Sequence, residues 1–298
     1  MRLVTRGDMD GLTCAVIISE QEEIDSFLLI HPQDITNRRV KILPTDIIAN
    51  LPYHPGCALW FDHHRHTATY PEPPSQFEGA HGDAPSTSRL VYDYYGGREA
   101  MPQLEELVRE TDRMDSADLS PDDVLEPKGY VRLGFTLDSR TGLGAFEDYL
   151  MTLLELFRTR TPIEEILEHP AVERRWKIIK DSDESFRKAL VECSSVHDNV
   201  VLTDLRGYDR PPVGNRFLVY ALFPDVNVSI RVHWGPQRQF VVAAVGHSIF
   251  NRSCATDVGE LAARYGGGGH RGAGSIPLEV ATADQKIDEI VAELRENG

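Results

Sequence analysis

Cysteine is scarce and scattered. The four cysteines, Cys14, Cys57, Cys193 and Cys254, share no paired spacing, which excludes a zinc knuckle and a disulfide framework and reads as reduced core thiols of a cytoplasmic protein. Basic residues are few as well: 31 Lys and Arg stand against 47 Asp and Glu, a formal charge of −16. Broad duplex-binding surfaces work by lysine and arginine releasing counterions, so this balance argues against long duplex nucleic acid and for small or locally gripped anionic partners. No apolar run approaches the roughly 20 residues that cross a bilayer, so no membrane partner is expected. The N-terminal residues enter a strand at once and lack the basic, apolar and small-residue order of a signal peptide, so a cytoplasmic location is expected.

What is present points to an α/β protein with two cores. A chain of 298 residues with 41% hydrophobic content is long enough for two domains. Its first part alternates strand and helix patterns: strands at 3–5, 27–30, 40–43 and 57–61, and a helix at 12–22. That alternation predicts a mostly parallel sheet with helices on both faces. Hydroxyl residues at 86–88 are placed to cap a helix that ends at Gly96-Gly97. Charged helical patterns at 149–157 and 172–180 follow, then strands near 200–203, 226–232 and 240–245, a helix at 258–265 and a closing helix at 283–295. The expected organisation is an N-terminal domain at 1–145, a helical connector at 146–195 and a smaller C-terminal α/β domain at 196–298.

Three segments carry chemistry. Asp62-His63-His64 follows the apolar run Ala58-Leu59-Trp60-Phe61, which puts a carboxylate and two imidazoles at a strand end. Successive strand side chains point to opposite faces, so at most one of the two rings need be a direct metal ligand. A carboxylate and an imidazole together suit Mn²⁺, Zn²⁺ or Mg²⁺. Near the N-terminus, Arg6-Gly7-Asp8-Met9-Asp10-Gly11 sets two carboxylates at i and i+2, on one side if the backbone is extended. Near the C-terminus, Gly266-Gly267-Gly268-Gly269-His270-Arg271 reads as a glycine loop whose bare amides could cradle an anion, with an imidazole and a guanidinium attached.

Together these segments resemble the DHH phosphoesterase superfamily, in its two-domain DHH–DHHA1 form, over nearly the whole chain. Asp62-His63-His64 matches the motif that names the family. Arg6 to Gly11 matches its His-x-Asp-x-Asp-Gly motif except at the first position. Gly267-Gly268-Gly269-His270 matches the Gly-Gly-Gly-His signature of the second domain, and Ser229-Ile230-Arg231 looks like its Ser-Phe-Arg strand.

The resemblance implies a divalent cation, Mn²⁺ before Mg²⁺, as one or two ions. It implies metal ligands at Asp8, Asp10, Asp62, His63 and Asp112, with a bridging carboxylate at Asp46 or at the position of Asn50. Asp46 is preferred; were Asn50 the equivalent position, the bridge would be lost and one ion would be expected, or none tightly. Arg6 stands where a metal-binding histidine is usual, and a guanidinium cannot ligate a cation. The resemblance further implies catalytic roles for Asp62, His63 and His64. Substrate contacts fall to Arg6, His64, Arg231, Gly267, Gly268, Gly269, His270 and Arg271. Asp115 and Asp118 read as a solvated helix end.

The implied function is metal-dependent hydrolysis of phosphodiester or phosphomonoester bonds in short oligonucleotides, cyclic dinucleotides or nucleoside bisphosphates, at a cleft between the two domains. Two cations roughly 3.5–4 Å apart can both activate water and clamp a phosphoryl group. Partners are then a small phosphorylated substrate or a short single strand, with self-assembly left open. Two alternatives remain: a polyphosphatase or pyrophosphatase, and a nucleotide-binding protein with weakened chemistry. A base would need an aromatic wall, for which Tyr53, Trp60, Trp234 and Tyr265 are candidates, although core packing is the commoner role for such residues.

Overall fold

The computed structural model describes residues 1–64, 72–137, 143, 147–212 and 214–297. Phe146, where the connector reading begins, lies outside them. The elements run β1 (Arg2–Thr5), α1 (Met9–Gln21), β2 (Ser26–Leu29), α2 (Pro32–Thr36), β3 (Asp46–Ala49), β4 (Leu59–Asp62), β5 (Gly79–His81), α3 (Thr87–Tyr94), α4 (Gly97–Ala100) and α5 (Glu105–Asp115). There follow α6 (Pro121–Leu125), α7 (Gly129–Leu137), α8 (Glu147–Arg158), α9 (Ile163–Glu168) and α10 (Pro170–Glu192). The chain ends with β6 (Ser194–His197), β7 (Val200–Asp204), α11 (Leu218–Leu222), β8 (Val228–Trp234), β9 (Val241–His247), α12 (Val258–Arg264), β10 (Gly268–His270), β11 (Ala273–Leu278) and α13 (Ala283–Asn297). Two compact units result: Met1–Asp118 with Pro127–Lys177, and Leu119–Glu126 with Ile178–Gly298.

The first unit holds a five-stranded sheet in the order β2-β1-β3-β4-β5, parallel at every pairing. Strands buried on both faces read as unbroken apolar runs, as Leu3-Val4 and Ile47-Ile48-Ala49 do, all with no exposed surface. Helix α1 is buried from Met9 to Ile18, a helix apolar on nearly every side that fits between other elements rather than at the surface. The chain moves from β1 outward to β2 and then returns to the opposite side of β1 as β3. Strand direction of growth therefore reverses between β1 and β3, and open α/β sheets present their sites beyond the carboxyl ends of strands at that place.

One strand lies elsewhere than the sequence suggests. Residues 40–43 are irregular and the strand is β3, Asp46–Ala49, paired with β1 through Leu3 opposite Ile47 and Val4 opposite Ile48. This six-residue displacement decides which residue reaches the carboxyl edge of the sheet.

The second unit holds a six-stranded mixed sheet, β10-β11-β9-β8-β7-β6, with Val228, Ile230, Val232, Val241, Ala243 and Val245 buried against helices α12 and α13. The glycine run is not a loop. Gly268–His270 pairs antiparallel with β11, Gly269 opposite Gly274, and Arg271-Gly272 forms the hairpin turn. A Cβ on Gly269 would lie 2.3 Å from the Ala273 carbonyl oxygen, and one on Gly267 2.2 Å from that of Ser275. The close approach of two backbones accounts for these glycines.

Candidate active site

Three adjacent strands deliver the site residues at their carboxyl ends: β1 leads to Arg6 and Asp8, β3 to Asn50, and β4 to Asp62, His63 and His64. Asp8 caps α1, accepting from the Gly11 amide at 3.0 Å. A Cβ on Gly11 would lie 2.1 Å from the Arg6 carbonyl oxygen, so only glycine allows the first turn of α1 to press against the β1 loop. That turn brings Asp10 inward, 1% exposed. Its two oxygens accept the backbone amides of Thr87 at 3.0 Å and Ser88 at 2.8 Å, donors at the start of α3 where the helix dipole favours an anion.

Asp10, His63 and Asp115 form the centre. Among the described residues they are the group of His, Cys, Asp or Glu whose ligand atoms all lie within 4.8 Å of one another. The His63 ring is fixed at both nitrogens: Nδ1 donates to the Ala84 carbonyl at 3.0 Å, and Nε2 lies 3.1 Å from Asp115. A backbone carbonyl on one nitrogen turns the other toward a metal. Burial favours neutral His63, but the contact with Asp115 and the charges of Asp115 and Asp10 outweigh it and raise His63 to about 10. Burial, followed by the charge of Asp115, pushes Asp10 up to about 7. Burial also opposes ionisation of Asp115, yet its bond to His63 holds it below the usual carboxylate range.

The proton on His63 is thus the positive charge that lets the two carboxylates coexist. A divalent cation would fill the same role between one imidazole and two carboxylates, a donor set suited to Mn²⁺, Mg²⁺ or Zn²⁺. Unsatisfied oxygens also line this region: Asn50 Oδ1, Thr87 Oγ1 and Thr5 Oγ1 are buried without a hydrogen-bond partner. Buried polar atoms are seldom left so, and a ligand or ion is one cause. The residues fit a cation at the centre.

Two expected ligands have other partners in this geometry. Asp46 opens β3 and faces away from the site: Arg2 holds it with two bonds, 3.0 and 2.6 Å, and the Leu43 amide donates a third at 2.7 Å. Asn50, four residues and about 13 Å further along the strand direction, is the residue that meets Asp8, through Nδ2 at 3.0 Å. Asp112 is likewise engaged, by both Arg89 Nε at 2.9 Å and Nη2 at 2.7 Å, and by Ser86 Oγ at 2.7 Å. Asp115, one turn later on α5, reaches the centre in its place. The i, i+3 spacing was the only signal, since both residues share a helix face.

The remaining candidates fall as follows. Asp62, 1% exposed, accepts His64 Nδ1 at 2.7 Å and the His63 amide at 3.1 Å. It orients His64 and lies outside the three-residue group. Arg6 Nε lies 3.1 Å from Asp8. Arg231, Gly267, Gly268, Gly269, His270 and Arg271 belong to the second unit, where Arg231 shares a face of β8 with Ser229, opposite the buried valines and Ile230. Trp60 and Tyr53 pack edge to face at 5.2 Å in a cluster with Phe77, and Trp60 Nε1 donates to Leu51, so both are core aromatics. Sequence reasoning missed the amides of Thr87 and Ser88, where capping alone was read; it named the position of Asn50 but preferred Asp46, and it read Asp115 as a solvated helix end.

No family model matches the chain, and no curated protein matches it. Solved structures do. A pGpG-specific phosphodiesterase, PggH from Vibrio cholerae, is 38% identical over 100% of this chain and 99% of its own, with a TM-score of 0.84. An exopolyphosphatase-related protein from Bacteroides fragilis shares the fold at 15% identity, covering 99% of this chain and 93% of its own, TM-score 0.57. RecJ in complex with Mn²⁺ from Thermus thermophilus shares it at 13% identity, covering 99% and 52%, TM-score 0.53. With Asp62-His63-His64 at the carboxyl edge of a parallel sheet and a full-length relative of this likeness, the chain belongs to the DHH phosphoesterase superfamily, in its DHH–DHHA1 form.

Proposed function

We propose that this phosphoesterase hydrolyses linear dinucleotides such as pGpG to mononucleotides, using Mn²⁺ held by Asp10, His63 and Asp115. The observation that carries the substrate class is the 38% identity, end to end, to a pGpG-specific phosphodiesterase. The charge of −16 is in keeping with a small substrate rather than a long duplex.

When bound, such a cation supplies a nucleophile at neutral pH and offsets charge growing on the phosphoryl oxygens. The protein groups supply position and protons. In the reaction a water oxygen bonds to the linking phosphorus, the bond from phosphorus to O3′ breaks, and O3′ leaves with a proton, giving two 5′-mononucleotides. Asp10 and Asp115 hold the anionic cradle, with Thr87 and Ser88 amides keeping Asp10 in place. Asp62 accepts the Nδ1 proton bond of His64 and so sets Nε2 as the nitrogen that takes or gives a proton. Arg6 is the donor at this site assigned to substrate oxygens, since guanidinium groups match phosphate geometry. Arg6→Ala is expected to lower kcat/KM.

The test is chromatographic: pGpG, a nucleoside 3′,5′-bisphosphate and polyphosphate, each incubated with Mn²⁺ or EDTA. Mn²⁺-dependent conversion of pGpG, with the other two little changed, supports the reading. Faster loss of polyphosphate would replace it with phosphoanhydride hydrolysis.

A further inference from the structure

Two-ion hydrolases set a pair of cations to share the charge of one phosphoryl group, and a second cation needs donors of its own beside any that bridge. In this site the carboxylates are told apart by where they lie and what they meet. Asp8 accepts Gly11 N and Asn50 Nδ2 on one oxygen, each at 3.0 Å, and Arg6 Nε at 3.1 Å on the other. Asp112 is taken by Arg89 and Ser86. Asp62 accepts both His64 Nδ1 and the His63 amide on Oδ1 and lies outside the three-residue group. Asp46 is held by Arg2 at the far end of β3. Only Asp10 and Asp115, with His63, bring ligand atoms within 4.8 Å of one another among the described residues.

From this we infer that the site holds a single divalent cation, and that the Arg6 guanidinium, braced by Asp8, which Asn50 holds in turn, provides the second positive charge. A guanidinium cannot ligate but carries a permanent charge and hydrogen-bonds phosphate oxygens directly. The Asn50 amide completes the arrangement: its Nδ2 grips Asp8 while its Oδ1, in a side chain 1% exposed, is buried without a partner. A neutral amide there fixes Asp8 against Arg6, where a carboxylate would add charge that a second cation would have to offset.

This inference rests on the metal-dependent reading above, and the count of bound ions separates the two. Equilibrium dialysis against Mn²⁺, with electron paramagnetic resonance of the bound ion, is expected to give one Mn²⁺ per chain with the signal of an isolated ion. Asp115→Asn should lose it. The double variant Arg6→His/Asn50→Asp should take up a second Mn²⁺ and show magnetic coupling between the two. Two coupled ions per wild-type chain would overturn the inference and leave the hydrolase reading standing; this measurement needs no variant to fold. A well-folded double variant that still binds one ion would also overturn it. No ion bound, with pGpG turnover persisting in EDTA, would instead sink the metal-dependent reading beneath it.

Discussion

Asp112 and Asp115 sit one turn apart on α5 and do different work. Asp112 forms a two-bond pair with Arg89, whereas Asp115 meets His63 beside Asp10. Asp115→Asn is therefore expected to weaken Mn²⁺ binding by at least 10–100-fold, the scale seen for groups that merely support metal ligands, in a chain that stays folded. Asp112→Asn should show the reverse, losing about 2 kcal/mol of stability from charged hydrogen bonds while keeping the ion. Arg2→Ala should cost about 3–5 kcal/mol in urea unfolding, because it strands the fully buried Asp46 carboxylate, and should leave Mn²⁺ affinity intact. The pH dependence follows from His63 and Asp10, both raised in the folded protein. A raised group adds stability that is present below its unfolded pKa and lost as pH climbs through the folded one. Without metal, the melting temperature should fall as pH rises through about 7, where Asp10 titrates, and on toward about 10, where His63 titrates. Mn²⁺ must displace the shared proton, so its affinity should strengthen between pH 6 and 8, by up to about tenfold per unit for each proton released. Affinity that is flat with pH would contradict the placement of the ion at His63.

At the level of elements, the error over Asp46 has one physical source. Residues 40–43 and 46–49 are both short and apolar, and local pattern cannot choose between them. Pairing with β1 chooses: Leu3 and Val4 align with Ile47 and Ile48, a contact 44 residues distant in sequence. With the strand read as 40–43, Asp46 falls just past its carboxyl end, where a ligand belongs. With the strand at Asp46–Ala49, that place passes to Asn50. The Asp62-His63-His64 segment was legible because Leu59, Trp60 and Phe61 leave no rival strand nearby, and the α3 cap was legible because Ser86 accepts the Arg89 amide. Strand β10 was read as a loop because four successive glycines carry no strand propensity; its pairing with β11 is dictated by backbone approach alone. The first turn of α1 is the most demanding element. Gly11→Ala forces a Cβ against the Arg6 carbonyl and is expected to destabilise by about 1–3 kcal/mol. It should also lower kcat, since Asp8 and Asp10 share that turn. Alanine tolerated with full turnover would show that the turn has slack the geometry does not reveal.

Across the whole molecule, the alternation of strands and helices was enough to expect a parallel sheet, and the reversal of strand order between β1 and β3 explains why Asp8 meets Asn50, 42 residues on, at the carboxyl edge that also carries His63. None of the helices is long and apolar enough to cross a membrane, among the described residues. Binding of an ion to the folded state alone should add about 2.7 kcal/mol at a hundredfold excess over Kd, so Mn²⁺ should raise the melting temperature of the wild-type protein and leave that of Asp115→Asn unmoved. The most direct measurement is the rate of pGpG hydrolysis in Mn²⁺ by the wild-type protein, Asp115→Asn and Asp112→Asn side by side. The account predicts conversion to mononucleotides by the wild type, loss of turnover in Asp115→Asn at unchanged fold, and retained turnover in Asp112→Asn wherever it remains folded. Turnover that survives in Asp115→Asn and disappears in a folded Asp112→Asn would contradict it.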